Sequence, residues 1–156
     1  TLLAGPSVSG LRDYHSVNLL WREGAQGRFR IGLIDVQDAL AGHAAYDVSS
    51  LLCDARVDVA PDLQAQALEH YCTLRFGGDA PARAAFQSAY ALCAVQRNLK
   101  IAGIFVRLCE RDHKPGYLQH LPRVLGYIHT HLGHPALAPV VEWLEAYAPK
   151  FLEPDA

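Results

Sequence analysis

The chain of 156 residues is long enough for one domain with a buried core, and its composition, 51% apolar and 19% charged, excludes a disordered chain. A net charge of -2 at pH 7 gives no basic surface of the kind that nucleic acid needs. No apolar run reaches the ~20 residues that span a bilayer, and residues 1–11 lack the basic head and apolar stretch of a signal peptide, so the sequence reads as cytoplasmic, with no membrane or nucleic-acid partner.

The first third reads as β-rich. Val8 to Asp13 is a short strand or an extended lead-in. Leu19-Leu20-Trp21 and Phe29 to Ile34 are apolar runs separated by a polar stretch, Arg22 to Gly27, that carries two glycines. That arrangement predicts an antiparallel hairpin, and a small β module over about residues 8–38. From Tyr46 the apolar spacing changes to three and four, with Val48, Leu51, Leu52 and Ala55 on one helical face. Pro61-Asp62 opens a second helix, carrying Leu63, Ala67, Leu68 and Tyr71, and Gly77-Gly78 stops it.

A long third helix is predicted from about Pro81 to Glu110, with Phe86, Tyr90, Cys93, Ile101, Ile104, Phe105 and Leu108 as its apolar stripe. A fourth covers roughly Tyr117 to Leu132, with Pro122 as a kink or a restart. A fifth runs from about Ala136 to Tyr147 and ends before Pro149, and residues 153–156 are read as frayed. The fold expected is mainly α with a small β-hairpin module, an α+β chain whose helical part covers about residues 46–148.

Several residues carry a structural reading first. Cys53, Cys72, Cys93 and Cys109 form no C-x-x-C pair and read as buried reduced thiols. His129 and His131 fall on different sides of a helix, so with His134 they read as surface histidines. Trp21 and Trp143 read as core or hairpin aromatics. Asp54, Asp58 and Asp62 read as helix-cap or surface carboxylates. Arg97 falls on the apolar stripe of the third helix, where a charge needs a partner. Either it pairs with an acid such as Asp38 or Asp47, or it lines a pocket with Gln96 and Asn98 alongside, facing a bound ligand.

The segment with chemistry in it is Leu11-Arg12-Asp13-Tyr14-His15-Ser16-Val17-Asn18, followed after the hairpin by Leu33-Ile34-Asp35-Val36-Gln37-Asp38. An Asp, an Asn five positions on and a second Asp after the next strand pair is the order of groups in protein-kinase phosphoryl transfer. A loop carboxylate can take a hydroxyl proton, and an amide oxygen with a carboxylate suits Mg2+. Read from these residues alone, the alternative weighs nearly as much: Asp13 and Asn18 as turn residues, Asp35 and Asp38 as caps.

The motifs resemble those of the aminoglycoside-phosphotransferase family. Arg12 to Leu20 is similar to its catalytic loop, H-G-D-L-H-P-G-N followed by aliphatics, with Asp13, His15 and Asn18 on the Asp, the second His and the Asn. Gly32 to Ala39 is similar to its metal loop, G-V-I-D-F-G-D-A, with Asp35 on the metal-binding Asp. Gly42 to Val48 is similar to the G-D-P-x-x-D-L stretch, with Asp47 on its second Asp. The departures are Leu11 for the first His, Val36-Gln37 for the aromatic-Gly pair, and His43 for an Asp. Within the family the pattern is closest to bacterial kinases of N-acetylmuramate and N-acetylglucosamine that act at the anomeric hydroxyl. Ala94 to Phe105 and Lys114 to Arg123 also look like that subgroup.

The resemblance implies the C-terminal lobe of a protein-kinase-like fold, with Asp13 as catalytic base and Asn18 and Asp35 as ligands of a Mg2+ bound with ATP or GTP. Arg12, His15, Gln37, Asp38 and Arg97 would bind substrate or support the site, and Asp47 would tie a helix to the catalytic loop. A kinase of this kind also needs an N-terminal lobe with a phosphate-covering strand pair and a Lys. Here Lys100, Lys114 and Lys150 all follow the metal loop, and the chain has no Met. The expectation is therefore a piece of a longer kinase, inactive alone. An aminoglycoside or choline-like acceptor is the other substrate reading, and a pseudokinase or interaction module the non-enzymatic one. Arg12 and Arg97 near the site suit an uncharged or anionic sugar better than a polycationic aminoglycoside.

Overall fold

The computed structural model describes residues 7–153, so residues 154–156 of the expected frayed tail lie outside the described residues. Four short strands, β1 (Val8–Gly10), β2 (Leu19–Trp21), β3 (Ile31–Leu33) and β4 (Leu40–Gly42), precede five helices. The helices are α1 (Ala44–Leu52), α2 (Pro61–Phe76), α3 (Ala80–Glu110), α4 (Leu121–Leu132) and α5 (Ala138–Tyr147).

The strands form two antiparallel pairs. In the expected hairpin, β2 pairs β3 with Leu19 opposite Leu33 and Trp21 opposite Ile31. A 3-10 turn over Gly27–Arg30 uses up Phe29, so the second strand starts at Ile31. β1 pairs β4, with Val8 opposite Gly42 and Gly10 opposite Leu40. β4 is not apparent in the sequence, because Leu-Ala-Gly is too short and too small to show alternation. Its pairing draws together the outer ends of the two loops that flank the hairpin. The approach is close at Gly10, where a side chain would stand in van der Waals contact with the Leu40 carbonyl at 3.4 Å and the Asp47 carboxylate at 3.8 Å.

α1 starts at Ala44, two residues before the sequence pattern suggests, because the His43 ring accepts from the Ala45 N–H (3.2 Å) and so caps the helix. Gly77 ends α2 with φ +56, a left-handed conformation that glycine takes without strain. Asp79 caps α3, accepting from the Ala82 N–H (3.0 Å). Pro122 sits in the first turn of α4, so the proline restarts a helix, and Pro115–His120 before it is 3-10. Likewise Pro135–Leu137 is 3-10 and α5 begins only at Ala138.

α3 is the spine of two apolar clusters. Its first half packs Phe86, Tyr90 and Cys93 against Ala45 and Leu52 of α1 and Cys72 of α2. Its later part packs Val95 and Phe105 against Val124, Ile128 and Leu132 of α4 and Leu144 of α5. Cys53, Cys72 and Cys93 are buried free thiols, and Cys109 is free and half-buried. The aggregate is mainly helical with small antiparallel strand pairs, and among the described residues no helix is long and apolar enough to cross a membrane.

Three structural readings need correction. His129, His131 and His134 are half-buried, and each ring serves the backbone: His129 meets the Phe151 carbonyl (2.7 Å), His131 the Tyr127 carbonyl (2.7 Å), and His134 caps the turn at Ala136. Trp143 is no core aromatic, being 57% exposed beside Tyr147, and Trp21 is 59% exposed on the hairpin under the Arg30 guanidinium. Asp54, expected at the surface, is 1% exposed.

Candidate active site

The loop between β1 and β2 carries Asp13 and is held at both ends by carboxylates from below. At its start, Asp47 in the first turn of α1 accepts the Leu11 N–H (2.6 Å) and the Arg12 N–H (2.9 Å). Further along, Asp54 accepts both the Ser16 N–H (3.0 Å) and the Ser16 hydroxyl (2.5 Å), and also the Arg56 N–H (2.9 Å). Burial of Asp54 works against its charge, but these hydrogen bonds outweigh it and hold the carboxyl below its ordinary value.

Within the clamped loop Asp13 keeps its side chain exposed and its backbone tied, since its carbonyl accepts the His15 N–H (3.0 Å) and the Asn18 Nδ2–H (2.9 Å). Asn18 is thereby fixed against Asp13, and its Nδ2 also reaches the Asp35 carboxylate at 3.5 Å. Asp35 follows β3 with φ +59, a left-handed conformation that turns the chain sharply at the strand end. The Gln37 amide donates to the Asp35 carboxylate. Asp13, Asn18 and Asp35 thus meet at one end of the hairpin, although Asp35 lies 17 residues beyond Asn18. Asp38 stands exposed in the turn after Asp35 and makes no hydrogen bond or ion pair among the described residues.

Two basic residues and a histidine flank this cluster. Arg12 also has a left-handed backbone, φ +66, and its half-buried side chain lines a small pocket with His43, Tyr46 and Cys93. His15 is held below the usual imidazole range, first by burial and then by the Arg56 and Arg97 charges acting against Asp54 and Asp13, which makes it neutral near pH 7. Its Nε2 lies 3.5 Å from the Asn18 amide, and its buried Nδ1 has no partner.

Arg97 is 6% exposed and forms no ion pair with Asp38 or Asp47. Asp47 has both oxygens on the loop backbone, and Asp38 is out in solvent. Burial is the main force on Arg97 and pushes its pKa down, while Tyr46, Asp54, Cys53 and Asp13 oppose it. Its Nη1 is buried with no hydrogen-bond partner among the described residues. The neighbours offered for a ligand-facing role do not share it: Gln96 is exposed, and Asn98 is fully buried with its amide donating to the Ala94 carbonyl (2.8 Å).

The donor set fits Mg2+. Asp35 presents an exposed carboxylate, and Asn18, with Nδ2 directed to the Asp13 carbonyl, keeps its amide oxygen free of donors among the described residues. Both are the hard oxygens that Mg2+ takes. Among the described residues no three His, Cys, Asp or Glu side chains converge as an all-protein cage. A metal on Asn18 and Asp35 would complete its shell with phosphate and water, as Mg2+ in nucleotide sites does.

The chain is similar to known proteins over most of its length. The chain is 40% identical over 138 residues to an N-acetylmuramate/N-acetylglucosamine kinase of Caulobacter vibrioides, covering 88% of this chain and 37% of that protein. It is 38% identical over 144 residues to a protein of the same name from Pseudomonas putida, covering 90% of this chain and 41% of that protein. A third of that name, from Pseudomonas aeruginosa, is 38% identical over 146 residues, covering 91% of this chain and 42% of that protein. The chain therefore spans about two fifths of the length of the curated relatives it matches. Residues 2–86 match the model described as the phosphotransferase enzyme family. That match takes in the clamped loop and the whole Asp13, Asn18 and Asp35 cluster, and with more than half of the chain matched, the chain belongs to the phosphotransferase enzyme family.

Proposed function

We propose that this chain is the C-terminal lobe of a protein-kinase-like enzyme that transfers the γ-phosphoryl group of ATP or GTP to a hydroxyl of an amino sugar, N-acetylmuramate or N-acetylglucosamine. The observation that carries the reading is the convergence of Asp13, Asn18 and Asp35 through the Asn18 amide, which lies 2.9 Å from the Asp13 carbonyl and 3.5 Å from the Asp35 carboxylate. Family membership supports phosphotransfer, and the names of the relatives support the acceptor class.

In this reading Asp13 accepts the proton of the attacking hydroxyl while the acceptor oxygen bonds to phosphorus and the nucleoside diphosphate departs. Asn18 and Asp35 hold Mg2+, which when bound neutralises charge on the phosphate oxygens. Gln37 steadies the Asp35 carboxylate, and Asp38, exposed one residue on, is free to meet the acceptor. Neutral His15 braces Asn18, and Asp47 anchors the loop. Positioning supplies most of the catalysis, because the phosphoryl group is already electrophilic.

A separate N-terminal lobe covers the nucleotide, and the enzyme works on cytoplasmic ATP. The apolar face of the hairpin, where Ile31 is 40% and Leu33 47% exposed, supports such a lobe, as does the two-fifths coverage of the relatives. The isolated chain is then inactive.

The test is Asp13→Asn in the kinase that carries this chain together with its N-terminal lobe. The expected outcome is a drop in kcat of about 10²–10⁴ with Mg2+–nucleotide affinity retained, followed by coupled nucleotide-release assay and calorimetric titration. Turnover at the unaltered rate would remove Asp13 from the role. Rapid phosphorylation by the 156 residues alone would remove the second lobe.

A further inference from the structure

We propose that Arg12 recognises a carboxylate on the acceptor sugar, so that the site distinguishes an acidic amino sugar from a neutral one. The inference rests on the kinase reading and deepens it. Arg12 immediately precedes Asp13 and lines a pocket of about 210 Å³ with His43, Tyr46 and Cys93. At roughly 30 Å³ per water that is room for about seven waters, enough for a charged substituent of a sugar.

The backbone gives no reason for an arginine here. Its φ of +66 is left-handed, and the Asp47 carboxylate fixes that conformation by accepting the Arg12 N–H at 2.9 Å. Glycine takes such a conformation without strain, and a long side chain does not. What the position gains from arginine is therefore the guanidinium itself. Yet among the described residues that guanidinium makes no hydrogen bond, and the three ion pairs belong to Arg83, Arg111 and Arg123.

The groups around the pocket favour an anion. Asp47, the nearby acid, has both oxygens on the loop N–H groups. Arg97, four residues after the pocket-lining Cys93, brings a second buried positive charge beside Tyr46. A half-buried planar guanidinium with unused N–H donors, on the residue before Asp13, matches a carboxylate in two parallel hydrogen bonds.

The experiment compares N-acetylmuramate, which carries a carboxylate, with N-acetylglucosamine, which does not, in the kinase with its N-terminal lobe. The readout is the ratio of the two kcat/KM values, which does not depend on the fraction of protein folded. Arg12→Gly and Arg12→Gln should each lower that ratio about tenfold or more, through KM for the acid, and Arg12→Lys should restore it only in part. A ratio unchanged in both Arg12→Gly and Arg12→Gln overturns the assignment while leaving the kinase reading in place. Turnover of neither sugar by the unaltered protein overturns both.

Discussion

Asp47 and Asp54 turn one helix and its exit into a holder for the loop between β1 and β2, and their carboxylates are used up on backbone and hydroxyl groups rather than on cations. Asp54→Ala would leave the Ser16 N–H, the Ser16 hydroxyl and the Arg56 N–H without their acceptor, at a cost of about 1–3 kcal/mol in urea or thermal unfolding. The sign of its pH dependence follows from the depressed folded pKa. The stabilisation is complete above the unfolded carboxyl value of about 3.9 and is lost as pH falls through the lower folded value. The gap between wild type and Asp54→Ala should therefore be constant from pH 7 to about 5 and close below about pH 4; a gap that widens in acid would refute the clamp. Arg97 poses the opposite case, a buried charge with no ion pair. Arg97→Met removes the desolvation penalty at similar volume, so its melting temperature should match or exceed wild type while kcat of the whole kinase falls. A large drop in melting temperature would mean that Arg97 is structural alone.

Among the elements, Gly77 gives the cleanest test of what ends a helix. A Cβ at this position meets no atom within 4 Å, so Gly77→Ala is penalised only through its backbone, φ 56 with ψ -123, and about 1–3 kcal/mol of lost stability is expected by chemical denaturation. The same element boundary was legible from Gly77-Gly78 alone, as were α2 and α3, because proline, glycine and a 3.6-residue stripe act locally. The starts of α1, α4 and α5 were not. His43 capping α1 through a ring nitrogen has no distinctive sequence mark, and Pro122 or Pro139 in a first turn is readable only once the preceding 3-10 turn is seen. β4 was invisible because its three residues owe their extended form to pairing with β1, a contact more than thirty residues away in the chain. In the site, the loop order of Asp13, Asn18 and Asp35 could be read from the motifs. The Asp54 clamp could not, because burial against Ser16 is a tertiary fact, and neither could the burial of Arg97 without an ion pair among the described residues.

Taken whole, the molecule divides its apolar surface unevenly. α3 and α4 bury Val95, Val124 and Ile128 to 2% exposure or less, whereas Leu20, Trp21, Phe29, Ile31, Leu33 and Leu40 of the strand region are each 40–62% exposed. A two-stranded ribbon without a covered face is marginal by itself, and β2 and β3 contain no buried residue. Opening should therefore begin there, at a free energy well below that of the helical core. Native-state hydrogen exchange on the isolated chain should show the β2–β3 amides exchanging at least tenfold faster than those in the middle of α3, and the exposed strand face should bind a dye for apolar surface. In the kinase with its N-terminal lobe present, the hairpin amides should slow and the dye signal should fall, because the second lobe would cover that face. Equal protection in both forms would mean that the lobe packs elsewhere, and the apolar hairpin would then need a different partner.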